Sequence, residues 1–198
     1  MKQMQKEVRN SDGVLTSTND RTVEGYAIVF NRYSKNLGGF VEIIESTAAD
    51  GIIEASDILC LLNHNEDKGV LARSKYGTGS LKLEIDDYGV KYTFDAPNTS
   101  LGDELLEGIK RGDISTSSFA FTVKEQEVVR NQGELPVRII KKFAELYDVS
   151  PVYKEAYPDT SIGKRSIDEA LQEQEQKQEN ELRIYFESFD KRIQELSK

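Results

Sequence analysis

The chain has one histidine, His64, in Leu61-Leu62-Asn63-His64-Asn65. An apolar run stops there and a polar loop begins, and a rigid strand end is a good place to hold a catalytic side chain. The plainer reading is a surface loop histidine. Further on, Ile114-Ser115-Thr116-Ser117-Ser118-Phe119-Ala120-Phe121 sets four hydroxyl residues ahead of an apolar strand. In strand alternation Ser118 shares a face with Thr116 and Ala120, while Phe119 and Phe121 point the other way. A serine run alone is equally an ordinary strand start. Asp148 lies inside Leu146-Tyr147-Asp148-Val149-Ser150-Pro151-Val152. A buried acid costs free energy unless a partner compensates it. A lysine or arginine would be a structural partner, and a solvent-facing acid would need none. A histidine would be a functional partner. Cys60, Leu62 and His64 share a strand face, which leaves a Cys–His dyad open. Cysteine within Ile-Leu-Cys-Leu-Leu is far more often part of the core.

Other chemistries find less support. No glycine-rich phosphate loop is present. Lys110-Arg111 and Lys141-Lys142 are short basic pairs, read as solvated or as neighbours of an anionic group. One cysteine and one histidine exclude most zinc sites, which need about three or four N/S ligands, so neither a metal nor a cofactor is expected. Acidic residues number 35 against 26 basic ones, and the net charge is −9. That sign argues against binding nucleic acid or an anionic membrane through bulk charge. No apolar run approaches the roughly 20 residues that span a bilayer. Met1 to Arg9 alternates charges and amides without an apolar core, unlike a signal peptide. A lone cysteine permits no internal disulfide and fits a reducing compartment.

These side chains need elements to position them, and 198 residues suggest one domain with an appendage. Residues 1–22 read as a polar lead-in with an edge strand at most. Glu24 to Phe30 and Phe40 to Ile44 read as strands, with a turn at Gly38-Gly39. Ser46 or Thr47 is placed to cap a short helix through Ala48, Ala49, Ile52 and Ile53. Ile58 to Leu62 reads as a strand buried on both faces. Leu81, Leu83 and Ile85 alternate with polar residues, so that strand is half-buried. Asp86-Asp87-Tyr88-Gly89 turns it into a return strand with Val90, Tyr92 and Phe94 on one face. Leu101, Leu105, Leu106 and Ile109 have helical spacing, with Thr99 or Ser100 as N-cap and Gly112 as the stop. Ile114 to Val123 is a strand, Val128 to Ala144 a hairpin around Asn131-Gln132-Gly133, and Leu146 to Val152 a last strand. Beyond Lys164, Gln and Glu dominate Gln172 to Glu181. Leu182, Phe186, Phe189, Ile193 and Leu196 then follow a 4-3-4-3 spacing, which predicts an amphipathic C-terminal helix. Many short strands with one or two helices, and no βαβ alternation, give an α+β or mostly β fold, or a barrel with flanking helices.

Four segments, in order, carry a resemblance. They are Gly25-Tyr26-Ala27-Ile28-Val29-Phe30-Asn31; Leu61-Leu62-Asn63-His64 with Val70-Leu71-Ala72-Arg73 and Gly79-Ser80-Leu81; Pro97-Asn98-Thr99 through Leu105-Leu106 and Ile109 to Phe121; and Asp148-Val149-Ser150-Pro151-Val152 with Ala156-Tyr157-Pro158. Together they resemble the HK97-type prohead proteases of tailed bacteriophages, serine peptidases of the herpesvirus-assemblin-like fold. The resemblance covers roughly residues 23–162. It implies an antiparallel β-barrel with flanking helices. With the composition shifts on either side, it gives a division into a polar segment 1–22, a protease domain 23–162, and a polar linker with a C-terminal helix over 163–198.

By position, His64 falls on the family's catalytic histidine and Ser118 on its nucleophile. Asp148 falls where the family has an acidic residue, more often Glu, as third member. Ala120 replaces a usual glycine and Ser117 a common methionine, so Ser117 is a rival nucleophile; the register of Phe119 and Phe121 favours Ser118. The chemistry agrees with those residue types. A serine hydroxyl is a poor nucleophile until a base takes its proton. Histidine suits that task near neutral pH, and a carboxylate behind it fixes the tautomer and stabilises the imidazolium. The resemblance further implies an endopeptidase inside the viral procapsid, in the bacterial host cytoplasm. Its substrates would be major capsid protein and scaffold segments, and itself. A homo-oligomer is compatible with this, and neither nucleic acid nor membrane is an expected partner. The other reading is a β-rich, non-catalytic capsid assembly or scaffold protein acting through its C-terminal helix.

Overall fold

The computed structural model describes residues 4–11, 13–18, 21–130, 133–153, 167–172, 176–177 and 179–188. The strands are β1 (Glu7–Ser11), β2 (Leu15–Ser17), β3 (Thr22–Val29), β4 (Val41–Ile44), β5 (Asp57–Cys60), β6 (Ala72–Lys75), β7 (Thr78–Gly79), β8 (Lys82–Ile85), β9 (Gly89–Asp95), β10 (Thr116–Val129) and β11 (Val137–Val152). Two helices join them, α1 (Ile52–Ala55) and α2 (Ser100–Arg111).

The β10–β11 hairpin is the spine. Its strands pair antiparallel from Thr116↔Val152 to Val129↔Val137, with register shifts between Ala120 and Gln126. Such shifts insert extra residues and bend the ribbon. The first half of β11 takes β4 as a parallel neighbour, and its second half meets β5 at Asp148↔Leu59. The full sheet runs β1-β10-β11-β5-β6-β7, with β4 beside β11. A second sheet runs β2-β3-β9-β8. One apolar core joins the two sheets, with Ile28, Val90, Tyr92, Phe119, Phe121 and Leu146 among its members.

The fold is therefore mostly β with some helices, but the expected barrel does not close among the described residues. The strands fall into two open sheets, and β11 keeps parallel neighbours, so it is not a purely antiparallel ring. The hairpin and separate last strand expected over Val128 to Val152 are instead one hairpin whose second arm is the 16-residue β11. No glycine or proline interrupts that arm before Pro151, so nothing breaks it. The short helix expected from Ala48 to Ile53 is split by Gly51, whose φ is 71°, into a 3₁₀ turn and α1. The β8 strand is more exposed than its alternation predicts: Leu81 is buried, but Ile85 is 40% exposed. Helix α2 keeps its expected limits. Thr99 caps its first turn and Gly112, at φ 77°, ends it in the left-handed conformation.

The N-terminal lead-in supplies β1 and β2, and β1 pairs with β10. Its Glu7 and Arg9 are buried with Glu42 and Arg138 in one ion network. In the tail, residues 167–172 are helical, and Ile167, Ala170 and Leu171 pack on Leu37, Phe40 and Val128. Residues 179–188 are helical as well, with Leu182 and Phe186 exposed. Phe189, Ile193 and Leu196 lie outside the described residues, so the C-terminal part of the expected amphipathic helix does too.

Candidate active site

Strand β5 runs buried into Leu61 and Leu62 and then leaves the sheet. Asn63 and His64 both take a φ of 57°, two consecutive left-handed residues. That conformation costs about 1–2 kcal/mol for an ordinary residue, so neighbours must hold it. The Asn63 N–H donates to the Pro151 carbonyl at 2.9 Å, and the Asn65 N–H donates to the Leu62 carbonyl at 3.2 Å. The Asn65 side chain accepts from the Asp67 N–H and starts the 3₁₀ turn Glu66–Lys68. The chain reversal thus turns the imidazole back over the sheet.

Under it lie β10 and β11. Their register sets Ser118 opposite Ser150 and Ala120 opposite Asp148. Asp148 and Ser150, two residues apart, share a face of β11. His64 Nδ1 is 2.5 Å from Asp148 Oδ1, and His64 Nε2 is 2.6 Å from Ser118 Oγ. A carboxylate at Nδ1 selects the tautomer with its proton there, leaving Nε2 as the acceptor. The three side chains named from the sequence are therefore in one hydrogen-bonded line. Ser118 is fully buried, Asp148 is 2% exposed, and the His64 side chain is 20% exposed.

The rival candidates are elsewhere. Ser117 faces away from His64, with its hydroxyl 2.7 Å from the phenol of buried Tyr92. Burial drives that phenol's pKa far above its usual value. Cys60 is completely buried, and burial, with the Asp148 charge second, holds its thiol well above its usual pKa. The thiol therefore stays protonated, and Cys60 belongs to the core. The Lys141 ammonium bonds Glu127 at the surface, and Arg111 pairs with Asp113. Among the described residues no group of three or more His, Cys, Asp or Glu is placed to hold a metal ion. None of their helices is long and apolar enough to cross a membrane.

Three contacts were not foreseen from sequence. Buried Ser150 donates to Asp148 Oδ1 at 2.7 Å, the same oxygen that faces His64. Lys6 Nζ stands 3.7 Å from Asp148 Oδ2. Ser118 Oγ also donates to the Arg9 carbonyl of β1 at 2.9 Å. For the first, the i, i+2 spacing puts Asp148 and Ser150 on one strand face, but a serine there carries no signal by itself. Lys6 and Arg9 are remote in sequence, and nothing local marks them.

A hydroxyl, an imidazole and a carboxylate in line on a β-sheet is the geometry of the serine hydrolases, recognised by arrangement and not by chain order. The family model of the caudovirus prohead serine proteases matches residues 5–176, and the chain belongs to that family. Among solved structures it is similar to the capsid assembly protease of bacteriophage T4, gp21. The two share 12% identity and a TM-score of 0.53, over 77% of this chain and all of that one. At that identity the likeness speaks for the fold. No curated protein matches this chain.

Proposed function

We propose that this protease is a prohead maturation endopeptidase that works by Ser118, His64 and Asp148. The observation that carries the reading is the unbroken line from Asp148 Oδ1 through both ring nitrogens to Ser118 Oγ. His64 takes the Ser118 proton at Nε2 as Oγ attacks a peptide carbonyl carbon. The resulting imidazolium is stabilised by the Asp148 carboxylate. His64 then gives the proton to the leaving amine, and the acyl group stays on Ser118 until water, activated by the same imidazole, releases it. Asp148 is costly to bury unpaired, so its burial is explained by the ring it orients. Membership in the prohead family supports segments of capsid and scaffold proteins as substrates, together with the chain itself. It also supports the procapsid interior, in the host cytoplasm, as the place of action.

The test compares wild type with Ser118→Ala, each incubated with its capsid precursor and read by intact mass. The expected result is cleavage by the wild type alone. The residual activity of Ser118→Ala should lie at least about 10⁴-fold lower, as for other triad serines. Equal cleavage by both forms would remove Ser118 from the mechanism. One observation favours the assembly reading as a second: helix 179–188 exposes Leu182, Ile184, Tyr185 and Phe186. Under that reading, Ser118→Ala would support capsid assembly and maturation as well as wild type does.

A further inference from the structure

Ser118 is fully buried, yet a nucleophile must come within about 3–3.5 Å of a substrate carbonyl carbon. Strand β10 offers two edges for an extended chain. One is paired with β11 from Thr116 to Val129. The other, from Ser117 to Phe121, is paired with β1, which sets Asn10 opposite Ser118. A polypeptide can therefore lie along Ser118 as a strand only where β1 now lies. We propose that this edge of β10 is the docking site for the extended substrate segment, and that β1 is its resident occupant, to be displaced before Ser118 acts. The inference rests on the reading of Ser118 as nucleophile.

The contacts of β1 fit that role. It brings a backbone carbonyl, that of Arg9, against Ser118 Oγ at 2.9 Å. The hydroxyl has one proton and two acceptors, the Arg9 carbonyl and His64 Nε2. While β1 is in place, the carbonyl competes with the base for that proton. Departure of β1 leaves His64 without this competitor. The strand is anchored by charge: Arg9 bonds both oxygens of Glu42, Glu7 bonds Arg138, and Arg9 and Glu7 bond each other. The Arg9 guanidinium also lies 5.6 Å from the centre of the Phe121 ring. Two of these four charges belong to β1 and cancel. The two left behind, Glu42 and Arg138, are bonded to each other at 2.9 Å, and Gln126 holds Arg138 Nε at 2.7 Å. The body of the molecule thus keeps a compensated pair when β1 goes, whereas breaking such a pair would strand a buried charge.

The experiment measures labelling of Ser118 in the full chain by a small fluorophosphonate, read by intact mass, with Ser118→Ala as the blank. Two variants bracket the wild type. Glu7→Gln with Arg9→Gln removes the anchor and leaves net charge unchanged. Ser11→Cys with Ser117→Cys places thiols on facing residues of β1 and β10, a spacing that a disulfide can bridge. The loosened variant should label at least roughly tenfold faster than wild type, since loss of even one charge-assisted hydrogen bond from the closed state accounts for that much. A peptide of residues 4–13, added in trans, should slow it again. The oxidised, locked variant should stay unlabelled and recover on reduction, which also shows that it is folded. Labelling of the locked form at the wild-type rate would overturn the proposal. No labelling of any form, all being folded, would instead sink the nucleophile assignment and the docking site with it.

Discussion

Ser150 and His64 meet the same oxygen of Asp148, one as a hydroxyl donor at 2.7 Å and one as a ring N–H at 2.5 Å. The carboxylate is buried, so its direction depends on these donors rather than on water. Losing the Ser150 hydroxyl should let Asp148 rotate and leave the imidazole less firmly aimed. A hydrogen bond to a charged group contributes about 1.5–3 kcal/mol. Ser150→Ala is therefore expected to lower kcat by roughly tenfold to a hundredfold with little change in KM. Ser150→Thr, which keeps the hydroxyl, should restore most of it. A purely structural role for Ser150 would show as a lower unfolding midpoint with kcat intact. At this scale the sequence was informative where residue types are scarce. The only histidine, and an acid inside an apolar strand, could be singled out. Ser118 needed a family resemblance to rise above its neighbours Ser115, Thr116 and Ser117. Ser150 was invisible because one more serine in a strand carries no signal until its register opposite Ser118 is known.

Strand β1 is the element where local pattern and tertiary role diverge most. Glu7-Val8-Arg9-Asn10-Ser11 is polar, and polar termini usually fray. It forms a strand because Glu7 and Arg9 find compensating charges on β4 and β11, elements far away in sequence. The buried Glu7 carboxyl shows this balance. Burial alone would raise its pKa, but the Arg138 hydrogen bond and charge, with Arg9, bring it below the ordinary 4.5. A depressed folded value means the stabilisation is complete above the unfolded value and is lost as pH falls through the folded one. Acidification below the ordinary 4.5 should therefore begin to loosen β1. Hydrogen exchange at Val8 and Asn10 would rise before that at the β11 core. Glu7→Gln should remove most of this pH dependence at β1, and a step that persists in the variant would assign it to other carboxylates. The β10–β11 ribbon was legible as strands because Val, Ile and Phe recur along both arms. Its continuity was not, because the neighbours of β11 change from β4 to β5 along its length. The same crossover explains why sheets, and not a ring, result.

Across the whole molecule, the tail divides into a part that packs and a part that does not. Ile167 and Ala170 are 4% and 7% exposed and, with Leu171, close over Leu37, Phe40 and Val128 as a second small core. Beyond them, Leu182, Tyr185 and Phe186 share a helical stripe and are 57–62% exposed. Exposed apolar residues contribute little to folding because they remove little apolar area from water. Ile167→Ala should therefore cost about 2–4 kcal/mol through the cavity it leaves. Leu182→Ser with Phe186→Ser should stay within about 0.5 kcal/mol of wild type, as surface substitutions do. Urea unfolding of the full chain distinguishes these outcomes. A large loss in the double serine variant would mean that the stripe packs against the domain in solution. If stability holds but sedimentation shifts to a smaller species, the stripe serves association. In that case the tail joins copies or assembly partners, and the two-sheet body alone carries the chemistry.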